Sequence, residues 1–323
     1  MTIVDCIAEI ISSSGNIFET DQDKVIRSIL QAKKVFIMDT CFITKSFGIA
    51  TEKLFEALKK MAGGKEAQRM VFVITELVLY ELKDSSTNVL QAKNRDFLEK
   101  MSEEGFCLLV LKEETVCENV RPFMNYSVKK WNEIFTTLIH DNVANLSFNQ
   151  LVRTDKRMPY FGFSESGYLV PEERNFIEDI VVYLKNAKKS KDSMAEELIC
   201  TSLFCIFELI RGSERSEYIL CTHDFRAVAR LNKAIQTSYP VMQNQFKSIN
   251  LFTMIQYMIR EEILTSKEES ICALKKAMGD NVKLIIGDDL PFAAVEKRIT
   301  IEDAVERIFN NEPMELVGRT EDI

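Results

Sequence analysis

The stretch Val35-Phe-Ile-Met-Asp39-Thr40 joins four consecutive apolar residues to an aspartate at their carboxyl end. An uninterrupted apolar run of this kind predicts a strand that is buried on both faces of a parallel sheet. A carboxylate at the open end of such a strand adds little to packing, but it is well placed to hold a hard cation. We therefore take Asp39 as the first candidate ligand of a metal site.

Three further acidic stretches lie where a strand should end or a helix should begin. They are Leu77-Val-Leu-Tyr-Glu81-Leu82, Lys191-Asp192-Ser-Met-Ala-Glu196-Glu197 and Tyr218-Ile-Leu-Cys-Thr222-His-Asp224. Converging carboxylates form an oxygen-rich, negatively charged cavity of the kind that Mg²⁺ or Mn²⁺ occupies. The sequence therefore predicts a metal-dependent enzyme that acts on phosphates.

Apolar runs and helical patterns alternate along most of the chain. The predicted strands are 35–38, 71–74, 106–111, 218–221 and 249–253. Because helical patterns separate them, we expect an α/β fold, a three-layer sandwich with a mostly parallel central sheet. In such sheets ligands bind outside the carboxyl ends of the strands, where the four acidic stretches should lie.

The same pattern predicts three parts of the chain. Residues 1–34 should form N-terminal helices, residues 35–264 the enzyme domain, and residues 265–323 a small C-terminal α/β module. A helical insert at about 115–190 interrupts the alternation, with helical stretches expected over 121–139 and 176–188. The insert or the C-terminal module could bind a protein partner or form the contact of a homo-oligomer.

A connector within the insert, residues 153–163, contains both cationic and aromatic side chains. Cations can bind phosphate and rings can stack on bases, so this segment is a candidate nucleic-acid contact. Its alternative is a loop that folds onto the domain through its aromatic residues. The candidate substrate-binding residues are Arg153, Lys156, Arg157 and Tyr160.

Composition limits the functional classes. The chain has 41 Lys and Arg residues against 49 Asp and Glu, a formal net charge of −8, which argues against nonspecific coating of nucleic acid. Its eight cysteines form no CxxC pair and it has two histidines, so a structural zinc site is not expected. Neither a secretory leader nor an apolar run of membrane-spanning length is visible, and we expect a reducing, cytoplasmic setting without membrane contact.

At the four acidic stretches the chain resembles the PIN-domain nucleases. Asp39-Thr40, Glu81-Leu82, Asp192 and Thr222-His223-Asp224 occur in the order of that family's pattern. The resemblance covers residues 35 to about 264 and implies a PIN-like fold, an endoribonuclease activity that leaves a 5′-phosphate and a 3′-hydroxyl, and RNA rather than DNA as the substrate. The chain departs from the pattern in its long segment between Glu81 and Asp192. A second departure is Cys41, which stands where the family commonly has Asn.

The resemblance implies a catalytic and metal-binding set made of Asp39, Glu81, Asp192 and Asp224. Thr40 and Thr222 are accessory residues, and Thr222 should orient Asp224 or contact phosphate. Glu196 lies four residues after Asp192 on the same helical face, which makes it a further candidate metal ligand. The expected cofactor is Mg²⁺ or Mn²⁺.

Simpler interpretations of these residues stay open at this stage. Asp39 and Asp192 could be helix caps without any role in metal binding. Glu76 competes with Glu81 for the ligand position. His223 should point away from the side of Thr222, so we do not expect it to act as a general base. The alternative function is a catalytically inactive PIN-like scaffold for RNA binding or assembly. Flap-type DNA cleavage by a related fold is a third, weaker interpretation.

Overall fold

The computed structural model describes residues 2–46, 51–62, 70–142, 154–156, 159, 163–164, 177–189, 194–210, 216–286, 295–312 and 314–316. Its strands are β1 (Lys34–Met38), β2 (Met70–Thr75), β3 (Cys107–Leu111), β4 (Glu217–Cys221), β5 (Phe246–Ile249), β6 (Asn281–Ile286), β7 (Val295–Thr300) and β8 (Met314–Leu316). Its helices are α1 (Ile3–Ser13), α2 (Gln22–Gln31), α3 (Thr40–Ser46), α4 (Thr51–Met61), α5 (Glu76–Glu81), α6 (Ala92–Glu103), α7 (Glu113–Phe123), α8 (Val128–Asn142), α9 (Ile177–Asn186), α10 (Met194–Leu209), α11 (Phe225–Ser238), α12 (Leu251–Arg260), α13 (Lys267–Met278) and α14 (Ile301–Phe309).

A five-stranded parallel sheet forms the centre of the fold, in the order β3-β2-β1-β4-β5. All six residues of β2 are buried, and so are the last four of β1. This burial on both faces explains why β1 has a continuous apolar run and no polar–apolar alternation. The expected α/β class with a parallel central sheet is confirmed.

Helices that contact one another fall into two main groups, which also touch each other between α3 and α5, as expected when helices cover opposite faces of one sheet. One group holds α1, α5, α7, α8, α9, α10 and α11. The other holds α3, α4, α6, α12, α13 and α14. The helices that follow β1 (α3 and α4) and the helix that follows β4 (α11) therefore belong to different groups. This arrangement is consistent with a three-layer sandwich.

The edge strand β3 is partly covered by the N-terminal segment. Glu19, between α1 and α2, pairs with Leu109 as a parallel bridge, and its backbone exchanges hydrogen bonds with Leu108 and Val110. The unpaired backbone groups of an edge strand are otherwise a template for association with another chain.

The predicted fifth strand was wrong in its bounds. The strand covers Phe246–Ile249, and the apolar residues from Leu251 onward begin α12 instead. The side chain of Asn250 accepts a hydrogen bond from the backbone N–H of Thr253, and the Thr253 side chain bonds back to the backbone of Asn250. This capping box starts a helix directly after the strand, so the apolar run that follows is helical.

The predicted helix over 121–139 was also wrong, because two helices share this span. α7 ends at Phe123 and α8 begins at Val128. Asn125 between them has a φ of 52°, the left-handed conformation that commonly ends a helix.

The C-terminal part contains a second sheet, which is antiparallel and has the order β7-β6-β8. The sequence patterns there predict one strand near 282–286 and two helices near 271–278 and 301–309, and these correspond to β6, α13 and α14. The prediction did not include β7 or β8. The assignment of residues 265–323 to a separate module, like the other domain bounds, stays a prediction.

No helix in the described part of the chain is both long enough and apolar enough to span a membrane.

Replacing the cap residue should weaken the junction between β5 and α12. We expect Asn250→Ala to lower the free energy of unfolding by about 1 kcal/mol, because the N–H of Thr253 loses its acceptor. Asn250→Ser, which can still accept this hydrogen bond, should restore most of the loss. Urea unfolding of the three proteins measures the effect, and equal stabilities would contradict the role of the cap.

Candidate active site

The parallel pairing of β1 with β4 places two predicted site residues side by side. Met38 lies opposite Cys221 in the register, so Asp39 and Thr222 both follow at the carboxyl edge. The backbone N–H of Asp39 donates to the carbonyl of Cys221 at 3.0 Å. The Thr222 hydroxyl donates to Oδ2 of Asp39 at 2.7 Å, and the Asp39 residue is only 4% exposed.

Three donors hold the buried Asp39 carboxylate. Besides Thr222, the backbone N–H of Thr40 donates to Oδ1 at 2.7 Å and the thiol of Cys41 donates to Oδ2 at 2.7 Å. Burial raises the pKa of Asp39, and the negative charge of Glu81 adds to the increase, whereas the three hydrogen bonds act against it. A cation near this carboxylate would therefore stabilise its charged form.

Thr40 links Asp39 to Glu81, the last residue of α5. While its backbone N–H donates to Asp39, its hydroxyl donates to Oε2 of Glu81. The other oxygen of Glu81, Oε1, lies 2.9 Å from Nζ of Lys188. The Lys188 side chain is 5% exposed and that of Glu81 is 24% exposed, so this ion pair lies largely inside the protein.

Thr222 connects Asp39 to the turn that carries Asp224. Its hydroxyl oxygen accepts from the backbone N–H of Asp224 at 3.0 Å while donating to Asp39. The Asp224 residue is partly buried at the start of α11. Thr222 therefore contacts both the carboxylate of Asp39 and the backbone of Asp224, and its orienting role stays a prediction.

Neither ring nitrogen of His223 has a hydrogen-bond partner in the described part of the chain. Its ring stacks on that of Phe42 with centroids 6.3 Å apart, and its backbone N–H donates to the sulfur of Cys41 at 3.0 Å. Burial and, as a smaller contribution, the charge of Lys45 lower its pKa to about 4. An imidazole with this pKa is neutral at pH 7.

The remaining predicted site residues are described only in part. Glu196 is partly buried in the first turn of α10, and Lys156 is exposed. Asp192 and three residues of the connector, Arg153, Arg157 and Tyr160, lie outside the described residues.

A second acidic group lies along the same edge of the sheet. Glu76 follows β2, and Glu113 and Glu114 follow β3 after a single residue. Each of the three offers a ligand atom, and these atoms all lie within 4.8 Å of one another, so that the group could hold a metal ion. Among the described residues, Asp39, Glu81 and Asp224 do not form an equally compact group.

The ammonium of Lys185 lies among these three carboxylates. Its Nζ contacts Glu76, lies 3.0 Å from Glu113 and 2.7 Å from Glu114, and its side chain is 0% exposed. Burial by itself lowers the pKa of Lys185, but the charges of Glu113, Glu76 and Glu114 together outweigh it and raise the pKa. The lysine is therefore a fixed positive charge inside the cluster.

This Lys185 cluster, formed by Glu76, Glu113, Glu114 and Lys185, also organises α5. Oε1 of Glu113 accepts the backbone N–H of Leu77 at 3.0 Å, which satisfies a free donor at the start of that helix. The two ends of α5 therefore meet lysines of one segment, Glu76 with Lys185 and Glu81 with Lys188.

The sequence contains signals for Glu113, Glu114 and Lys188, which are not among the predicted site residues. Glu113 and Glu114 follow a predicted buried strand, which is the same criterion that selected Asp39. Lys188 continues an apolar stripe through Ile177, Val181 and Leu184 at helical spacing. A lysine on an apolar stripe needs a buried carboxylate partner, but its position alone does not say which one.

Comparisons with protein-family models, with curated proteins and with solved structures found no match to this chain.

Removal of the buried ammonium should destabilise the fold strongly. In Lys185→Met the three carboxylates lose their shared cation, so we expect a loss of about 3–5 kcal/mol in the free energy of unfolding. Lys189→Met, which changes an exposed lysine nearby, should stay within about 0.5 kcal/mol of the wild type. Urea unfolding measures both, and similar values for the two variants would contradict the importance of the cluster.

The loss caused by Lys185→Met should not become smaller between pH 7 and pH 10. Because the folded-state pKa of Lys185 is raised, its contribution is complete below the ordinary lysine pKa of about 10.4. The contribution disappears only as the pH rises through the higher folded-state pKa. Unfolding free energies of wild type and variant at three pH values in this range provide the test. A difference that shrinks before pH 10 would show that Lys185 loses its proton earlier.

Proposed function

We propose that this protein is a metal-dependent nuclease, an endoribonuclease with a PIN-like fold and active site. The observation that carries the proposal is the hydrogen-bonded connection of Asp39 to Glu81 through Thr40 and to the Asp224 turn through Thr222. Three acidic residues from separate segments are thereby joined at the carboxyl edge of the sheet.

The strand order supports a site at this position. The chain builds β1, β2 and β3 towards one side and then returns to place β4 on the other side of β1. The helices after β1 and after β4 belong to different contact groups, so a crevice is expected where these two strands end. Open parallel sheets bind their ligands at such a switch point. Asp39 follows β1 there, and Asp224 follows β4 after two residues.

The side chains are of the chemical type that suits a hard divalent cation. The carboxylates of Asp39, Glu81 and Asp224 and the hydroxyl of Thr222 are oxygen donors of the kind that Mg²⁺ and Mn²⁺ prefer. Mg²⁺ usually keeps several of its waters, so these carboxylates need not all bind it directly. When bound, the cation would stabilise the negative charge that develops on the phosphate in the transition state.

Each residue then has a separate role. Asp39 is the central ligand, and its three hydrogen bonds fix the carboxylate before a cation arrives. Glu81 and Asp224 are the flanking ligands, and Thr40 and Thr222 hold them in place relative to Asp39. Asp192 and Glu196 keep their predicted roles as a catalytic ligand and a further metal ligand.

We also propose RNA as the substrate and a reducing, cytoplasmic setting. The preference for RNA over DNA rests on the resemblance to PIN-domain nucleases. Lys156, which is exposed, is a candidate phosphate contact of the connector together with Arg153, Arg157 and Tyr160. All eight cysteines are free thiols, which supports a reducing setting.

An isosteric change at the central ligand should abolish cleavage and preserve the fold. In Asp39→Asn the amide oxygen can still accept from Thr40 and the amide nitrogen can donate to Thr222, but the negative charge is lost. We expect cleavage of labelled RNA in Mg²⁺ or Mn²⁺ to fall at least about 100-fold. Changing a residue that only supports a metal ligand costs up to about 100-fold, so changing the ligand itself should cost at least as much. Chelator should abolish the activity of the wild type.

Asp96→Asn is the matched control, because Asp96 is exposed on α6 and is not one of the predicted site residues. It should cleave like the wild type. Labelled RNA and DNA of the same sequence, assayed in parallel, give the substrate preference. Full activity of Asp39→Asn, or activity that persists in chelator, would refute the proposed function.

A second candidate function is an inactive PIN-like scaffold for RNA binding or assembly. Its specific support is that Glu81 already has the positive charge of Lys188 beside it and that three donors already satisfy Asp39. Calorimetric titration with Mn²⁺ separates the two functions. A nuclease should bind the ion tightly and lose this binding in Asp39→Asn, whereas a scaffold should show no binding that depends on the carboxylate.

A further inference from the structure

Resting on the proposed nuclease function, we propose that Lys188 is a catalytic residue whose ammonium contacts the phosphate at the cleavage position. In this role it replaces the second metal ion of a two-metal nuclease. The site would then work with one divalent cation.

The position of Lys188 is the first argument. Its Nζ lies 2.9 Å from Oε1 of Glu81, and the other oxygen of Glu81 accepts from Thr40, the residue whose N–H donates to Asp39. The ammonium is therefore connected to Asp39 through the carboxylate of Glu81 and then through Thr40. In two-metal sites a second cation is held beside the first by shared or neighbouring carboxylates and stabilises one of the oxygens of the displacement. Lys188 supplies a positive charge at such a neighbouring carboxylate.

The electrostatics of the edge are the second argument. Asp39 and Glu81 are close enough for the charge of Glu81 to raise the pKa of Asp39. A nucleic-acid phosphate that approaches these carboxylates is repelled unless positive charge is present on its path. The lysine ammonium is a compact point charge of the kind that phosphate sites use.

The fixed placement of Lys188 is the third argument. Its side chain is 5% exposed, so it is not one of the solvated lysines that merely cover a surface. Three residues earlier, Lys185 is held by the carboxylates of Glu76, Glu113 and Glu114. This anchor fixes the segment that carries Lys188, and a preorganised charge stabilises a transition state better than a charge on a mobile side chain.

The test compares Lys188→Gln with Lys188→Arg. Glutamine can still donate to Glu81 but has no charge, whereas arginine keeps the charge and can bind phosphate. Lys189→Met, at the exposed neighbouring lysine, is the control and should cleave like the wild type. We expect Lys188→Gln to slow the cleavage of single-stranded RNA about 100-fold or more, the cost of removing one transition-state donor. Lys188→Arg should stay within about tenfold of the wild type, because the charge is preserved.

Two readouts do not depend on cleavage. Calorimetry should give one Mn²⁺ per chain for the wild type and for Lys188→Gln. RNA binding is measured in the Asp39→Asn background, with and without Lys188→Gln. Loss of one phosphate contact should lower the slope of log affinity against log salt by about 0.7.

The outcomes separate this inference from the proposed function. If the wild type cleaves RNA in a manner that needs Asp39, and Lys188→Gln cleaves equally fast or faster, the role of Lys188 is wrong and the nuclease function stands. Two Mn²⁺ ions on the wild type that are both lost in Asp39→Asn, or an unchanged salt slope, would also overturn the role of Lys188. If the wild type itself neither cleaves RNA nor binds Mn²⁺, both proposals fail together. Circular dichroism and melting curves confirm folding, and Lys188→Arg gives the comparison if Lys188→Gln does not fold.

Discussion

The parallel pairing of β1 with β4 is the constraint on which the rest of the molecule depends. It brings together two segments more than 180 residues apart in the chain, because β4 returns to the opposite side of β1 from β2. The pairing ends at Met38 and Cys221, so the next residues leave the sheet together. Asp39 and Thr222 then form their hydrogen bond inside the protein, and the carboxylate is buried by the same strands that position it.

Burying carboxylates at this edge requires compensation, and the segment that includes α9 provides part of it. Its two buried lysines meet the two ends of α5, Lys185 at Glu76 and Lys188 at Glu81. A charged group in a low-dielectric interior costs several kcal/mol unless it is paired, so the buried Glu76 needs such a partner to keep its charge. The α9 segment is consequently held at two points by charge, in addition to its apolar contacts with α7 and α1.

Much of the fold could be predicted from the sequence, because buried parallel strands leave an unmistakable apolar pattern. β1 to β4 and the placement of Asp39 follow from that pattern, and so does the carboxyl-edge position of Asp224. The start of α12 was missed because a single residue, Asn250, decides between strand and helix within one apolar run. Lys185 and Lys188 could not be assigned, because their carboxylate partners are distant in the chain. The partners of Lys185 include Glu76 and Glu114, which are 109 and 71 residues away. Lys188 pairs with Glu81 in α5. Glu113 and Glu114 were predictable by the same criterion as Asp39.

The more compact acidic group is not the better candidate for catalysis, and access is the reason. Glu76 and Glu113 are almost completely buried, and the Lys185 ammonium already neutralises part of the charge between them. All three carboxylate side chains of the Lys185 cluster are less exposed than that of Glu81. At the other group Glu81 keeps 24% of its side chain exposed, and Asp224 is only partly buried at the end of β4. Ligand atoms that lie close together show where a cation could be held. A nuclease also needs a carboxylate that the substrate can approach. In the described part of the edge, Glu81 beside Asp39 meets that condition.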